Sequence, residues 1–381
     1  MRRLPTLRVL ALRLLWSAGK LGGGRRAAHT KTSCNPLFSP SARHFADYDT
    51  APLAMRFSVG DWDDVPAWQK KARAKLAELC GYSREASVPV VVSDEKFDLS
   101  GGLVRRRVVL RVREAVHIPV HLIEAKASSG PRPIMICLQG TNSGAHLSWG
   151  EVRYPADADK VSGGYNFAVQ AARRGYLAVA VEQSCFGERA EAQISPRSVA
   201  PCVDATMHAI LLGRSLLGER CYDVSRVCDW LMAEATNLSV RSDQIDIMGH
   251  SAGGSVALFA AALDQRIRAV LACGCIGYIR TTIGRRRDDQ GQNVVPGILN
   301  WFELADIVAL VAPRPFVTVA GENDHIWPAA GARSVVDEAR QAYARLNAID
   351  NIVCQTATGG HLFRPELSWR VFEQTIGFAG L

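Results

Sequence analysis

Apolar residues along this chain fall into short runs, and their period changes from one end to the other. Ala67 to Leu79 (AWQKKARAKLAEL) has helical composition and charge spacing and stops before Gly81, which predicts a helix. Leu103 to Val112 and Ile118 to Glu124 read as two strands in a meander, the start of an antiparallel edge. His117 and His121 share a face of the second strand and read as ordinary strand residues. From Pro133 the texture alternates. Strand-like runs occur at Ile134 to Leu138, Tyr176 to Val181, Ile245 to Met248, Ile267 to Cys273, Pro315 to Ala320 and Asn351 to Gln355. Between and after them, Tyr165 to Arg174, Ser251 to Leu263, Phe302 to Leu310, Ala329 to Asn347 and a segment from about Pro365 have helical character. Asp204 to Glu234 reads as one long helix or a broken pair, with Val224, Val227, Cys228 and Leu231 on one face. Such alternation predicts an α/β fold: a mostly parallel sheet, helices on both faces and an antiparallel N-terminal edge. Glu182 to Pro201 and Gly277 to Asn300 have no clear period and read as loop insertions, the second carrying the charge run Arg285, Arg286, Arg287, Asp288 and Asp289.

Charge changes the picture at one end only. Nine of the 45 Lys and Arg precede Phe45, and the first acid is Asp47, leaving 36 basic against 37 acidic residues in the rest. The formal +8 therefore belongs to a leader, residues 1–46, and the body, 47–381, reads as one domain with insertions near 182–204 and 277–300. A near-neutral body lacks the basic stripe of a nucleic-acid binder. The leader's apolar run is broken by Arg8 and Arg13, too short and too charged for a membrane span. Arg-rich and acid-free, it fits either a mitochondrial presequence or a leader without a targeting role, which leaves the compartment as cytoplasmic or mitochondrial. The ten cysteines are scattered among apolar neighbours with no metal spacing, as expected of buried thiols in a reducing compartment, although Cys185 and Cys202 could pair across a loop. No cofactor or metal is expected.

The chemistry concentrates at Gln244 to Gly254 (QIDIMGHSAGG). An apolar strand runs into G-x-S-x-G and then a helix of small residues, which places Ser251 on a sharp strand-to-helix turn. A serine hydroxyl needs a base within hydrogen-bond reach and an acid to orient that base. His361, after Gly359 and Gly360 beyond the last strand, is favoured as the base over His325. Asp324, at the end of the Pro315 to Ala320 strand, is favoured as the acid over Glu322. Donors for a tetrahedral oxyanion are expected at the backbone N–H of Ala252 and in the loop at Gly140 and Thr141.

Further stretches extend the pattern: Gly140 to Glu151 (GTNSGAHLSWGE), Cys185 to Arg189 (CFGER), Leu212 to Arg226 (LGRSLLGERCYDVSR), Val295 to Pro315 (VPGILNWFELADIVALVAPRP) and Gly321 to Pro328. With GHSAGG, these resemble the acetyl xylan esterase and dienelactone hydrolase-like branch of the α/β hydrolases, from about Ala67 to the C-terminus. The resemblance implies an α/β-hydrolase fold and carboxylic ester hydrolysis, with Ser251, Asp324 and His361 matching the catalytic triad. Members often carry Asp and Arg where this chain has Glu182, Gln183 and Ser184. The expected substrate is a small-molecule ester with a short acyl group. The loops Thr141 to Gly164 and Ser184 to Pro201 are polar, with Trp149 and Phe186 as isolated aromatics, and make an acetylated sugar a candidate. Two alternatives stay open: a peptidase of the prolyl-oligopeptidase kind, and a catalytically silent hydrolase fold used for binding.

Overall fold

The computed structural model describes residues 38–378 apart from 61, 63, 86, 127–129, 192–200 and 286–289. Most of the basic leader, the middle of the first insertion and Arg286 to Asp289 of the charge run lie outside the described residues. Two compact units are distinguished, one ending at Asp47 and one from Tyr48 to Leu381. Helix α1, Pro40–Asp49, spans the boundary, and everything below concerns the second unit.

One nine-stranded sheet organises it, in the order β1-β2-β3-β5-β4-β6-β7-β8-β9. The strands are β1 Val90–Leu99, β2 Leu103–Arg113, β3 Val116–Ala125, β4 Arg132–Leu138, β5 Leu177–Val181, β6 Val240–His250, β7 Ile267–Cys273, β8 Phe316–Gly321 and β9 Ile352–Ala357. Pairings from β1 through β3 to β5 are antiparallel, and those from β5 through β4 to β9 are parallel. The mostly parallel sheet with an antiparallel N-terminal edge is thus present. Strand β1 is the addition. Its residues are almost all exposed, and Ser93, Asp94, Glu95 and Lys96 interrupt any alternation, so no apolar pattern marks it. Its pairing comes from the backbone ladder with β2 and from an Asp94–Arg106 ion pair at the open edge.

Alternate residues of the central strands feed two separate cores. Ile134, Ile136 and Leu138 of β4 join a large layer on one face, whereas Met135 and Cys137 join a smaller layer on the other. The large layer is closed by helices α2 (Val65–Cys80), α6 (Leu216–Ala233), α8 (Ala252–Leu263), α9 (Leu304–Ala309) and α10 (Ala329–Arg345). The smaller one is closed by α4 (Phe167–Arg173) and α11 (Pro365–Ile376). The one-turn α7 (Ala235–Leu238) adds Leu238 to the large layer, whereas α3 (Pro155–Ser162) and α5 (Pro201–Leu211) lie outside both. Asp204 to Glu234 is the broken pair. Gly213, with φ +69, ends the turn after α5, and the Ser215 hydroxyl caps α6 by accepting from the Gly218 N–H at 3.0 Å.

Candidate active site

Strand β6 delivers Ser251 at its C-terminal end, and the serine is held at φ +57, a left-handed conformation that costs an L-residue about 1–2 kcal/mol. Two contacts over-determine that turn. The Ser251 N–H donates to the Cys273 carbonyl on β7 at 2.8 Å, and α8 starts at the next residue. Gly253 lets the first turn of α8 lie directly on the carbonyl oxygens of Leu138 and Gln139, where any side chain would overlap them. The half-buried hydroxyl therefore stands at a helix N-terminus, where unpaired backbone N–H groups and the helix dipole favour negative charge.

The Ser251 hydroxyl lies 2.9 Å from Nε2 of His361, and Nδ1 of His361 lies 2.8 Å from Oδ2 of Asp324. The two partners come from separate loops, after β8 and after β9. Those loops are clasped by backbone bonds from the Glu322 N–H to Ala357 and from the Asn323 N–H to Gly359. Asp324 is buried, and its Oδ1 accepts from the N–H groups of Ile326 and Trp327 at 2.8 and 2.9 Å. Burial by itself would raise its pKa, but His361 and these two N–H groups outweigh it and hold the carboxyl below its ordinary value. An ionised Asp324 puts a proton on Nδ1 of His361 and leaves Nε2 free to accept one from Ser251. Glu322 and His325 are both exposed, and among the described residues neither is hydrogen-bonded to this group through its side chain.

Around Ser251 is a cavity of about 340 Å³. Gly140, Thr141 and Asn142 line it from the loop after β4, and a side chain at Gly140 would come within 2.8 Å of the His250 carbonyl oxygen. That loop is tied down at several points. Gln292 Nε2 donates to the Thr141 hydroxyl at 2.7 Å, and Gln183 Nε2 donates to the Gln139 carbonyl at 2.5 Å. Glu182 accepts from the N–H groups of Ala145 and Glu188, and burial pushes its carboxyl up to about 7. Glu182 and Gln183 thus hold loops rather than line the cavity.

Residues the sequence did not single out complete the lining: Lys160, Tyr165, His250, Gln292 and Ile326. His250 is fully buried beside His361, with ring centroids 4.7 Å apart, and burial followed by the nearby His361 keeps it neutral. The only sequence signal for it is adjacency to Ser251. Conversely, the two aromatics expected to face a substrate do not line the cavity. Trp149 is buried against His121, whose ring is 4.3 Å away, and Phe186 is buried in a small cluster with Cys185, Cys202 and Leu216. His121 itself is more than a plain strand residue, since it is buried and contacts Arg105 and Glu188. Cys185 and Cys202 are both free thiols, and Cys202 Sγ donates to Gln292 Oε1 at 3.6 Å and accepts from Arg220 at 3.4 Å.

Among the described residues no cluster of His, Cys, Asp or Glu could hold a metal ion, and no helix is long and apolar enough to cross a membrane. The fold and the Ser–His–Asp arrangement define an α/β hydrolase. Residues 49–329 match the sequence model of the Abhydrolase family, and the chain belongs to that family. It is 26% identical over 248 residues to YtaP of Bacillus subtilis (strain 168), a protein assigned as a hydrolase, in a match covering 64% of this chain and 77% of YtaP. Among solved structures, one assigned as an acetyl xylan esterase from Bacteroides fragilis superposes with a TM-score of 0.67 at 21% identity, covering 84% of this chain and 82% of that one. A glucuronoyl esterase from Solibacter usitatus gives a TM-score of 0.60 at 18% identity, covering 86% and 96% respectively. At these identities the two structures are similar in fold.

Proposed function

We propose that the protein is a serine-dependent carboxylic ester hydrolase that works through an acyl-enzyme and prefers short acyl groups. The observation that carries this reading is the unbroken hydrogen-bonded series from Ser251 through His361 to Asp324 at the wall of a cavity. In this scheme Ser251 Oγ attacks the ester carbonyl while His361 Nε2 takes its proton. The protonated imidazole, steadied by Asp324, then gives that proton to the leaving alcohol. Water, activated by the same histidine, releases the acid. The oxyanion formed in each half is received by the Ala252 N–H and by an N–H of the Gly140–Thr141 loop, each donor contributing about 3–4 kcal/mol to the transition state. That structural neighbours are described as esterases supports the ester-bond assignment.

Chain-length preference follows from the lining. A long acyl chain gains about 0.8 kcal/mol per methylene only where apolar walls receive it. Ile326 is the one aliphatic side chain in the lining among the described residues, against Thr141, Asn142, Lys160, Gln292 and His325. An acetylated sugar remains a candidate substrate, with Tyr165 rather than Trp149 as the ring at hand.

A fluorophosphonate probe should label Ser251 in the intact protein, and Ser251→Ala should abolish labelling and lower kcat by about a millionfold with the fold retained. Turnover surviving in folded Ser251→Ala would remove the serine mechanism. Across a p-nitrophenyl ester series from acetate to palmitate, kcat/KM should fall as the chain lengthens; a maximum at palmitate would remove the short-acyl preference.

A further inference from the structure

Lys160 sits on α3, and its side chain lines the cavity that holds Ser251. Its Nζ is placed 4.8 Å from the centroid of the Tyr165 ring. Tyr165 is itself pinned, because its hydroxyl accepts from the Phe363 N–H at 3.3 Å and contacts His250 Nδ1 at 3.5 Å. A cation on an aromatic face is held in direction without being neutralised. Among the described residues no carboxylate comes within ion-pair distance of Lys160, and none belongs to the cavity lining.

The two buried acids near this region, Asp324 and Asp157, are committed elsewhere. Asp324 faces His361 and the backbone of Ile326 and Trp327. Asp157, one turn before Lys160 on the same helix, is buried and accepts from Ser143 and from the N–H groups of Arg153 and Tyr154, with His146 Nε2 2.9 Å away. The cavity therefore carries an ammonium group with no counter-charge of its own. Beyond Ser251 and His361, its other polar lining, Thr141, Asn142, Tyr165, His250, Gln292 and His325, contains no acid.

Building on the esterase reading above, we infer that Lys160 is a specificity residue that recognises an anionic group on the substrate. The substrate class is an ester bearing a carboxylate on either its acyl or its alcohol portion. A carboxylate bound there makes a charge-assisted hydrogen bond in a partly desolvated cleft, a stronger contact than a neutral group could make. A neutral ester of the same size gains nothing from the ammonium and leaves it partly stripped of water.

The test compares 4-nitrophenyl hemisuccinate, charged on the acyl side, and 4-acetoxybenzoate, charged on the leaving group, with the neutral 4-nitrophenyl butyrate and phenyl acetate. Lys160→Met should lower the anionic-to-neutral ratio of kcat/KM about tenfold for one of the two charged esters, and the affected ester tells which side of the scissile bond faces Lys160. Lys160→Glu should lower that ratio further, and high salt should shrink the advantage in the wild type. A second arm does not depend on turnover. Monomethyl succinate, monomethyl terephthalate and their uncharged dimethyl esters are titrated calorimetrically into Ser251→Ala with and without Lys160→Met. Loss of Lys160 should weaken binding of an anionic ligand about tenfold and that of its neutral counterpart much less. Ratios and affinities that do not move in either arm would overturn the inference. A wild type inert toward every ester, with Lys160-dependent anion binding intact, would overturn the esterase reading and leave the anion site standing.

Discussion

At the scale of single residues, the carboxyl of Glu182 is unusual because burial raises it to about 7 although two backbone N–H groups favour its charge. An unfolded Glu titrates near roughly 4.3, so the folded protein binds this proton more tightly than the unfolded chain does. Stability from protonated Glu182 is therefore complete below that unfolded value and is lost as pH rises through about 7. Glu182→Gln cannot titrate, so its deficit in melting temperature relative to the wild type should be larger at pH 5 than at pH 8. A deficit that widens toward pH 8 would reverse the assigned direction. Asp157 does not disturb this window. Burial alone would raise it, but Ser143, His146 and two backbone N–H groups hold it well below the usual carboxylate value, so its contribution fades only as pH falls through the acid range. Ser251, Asp324 and His361 were legible in the sequence because each follows a strand whose apolar run announces it. Lys160, Tyr165 and Gln292 were not, because they reach the cavity from α3, from the connection between α3 and α4, and from an insertion, none of which shares a spacing with the strands.

At the scale of elements, the parallel strands and the helices that cover them could be read because each buries a face and so shows a period. Elements held by backbone pairing or caps escaped, as β1 and the short α3 show. Helix α3 begins at Pro155 behind Tyr154 and is fixed by Asp157 rather than by an apolar stripe. The reverse holds where α8 meets β4. Gly253 rests on the carbonyl oxygens of Leu138 and Gln139, a contact no polar or apolar pattern records. Gly253→Ala should push helix from strand and cost about 1–3 kcal/mol, read from the urea midpoint. Because Gln139 leads directly into Gly140, the same change should lower kcat by more than the loss of folded protein accounts for. An alanine variant with wild-type midpoint and rate would show that the helix has room to move there.

At the scale of the whole molecule, the three residues of the site hang from β6, β8 and β9, with Ser251 and His361 separated by 110 positions. Strand β9 is the outermost of the parallel set and pairs only with β8 among the described residues. Closing such distant contacts is slow and comes after local structure has formed. Activity is thus a clock for the final event of folding. During refolding from urea, ester turnover should return later than far-ultraviolet circular dichroism, and later than fluorescence from Trp68 and Trp230 in the large core. Recovery of all three signals with one rate constant would mean that β9 docks together with the rest of the sheet. If the lag is found, a chain still being completed carries its serine in place well before it can use it, and a half-built molecule is chemically quiet.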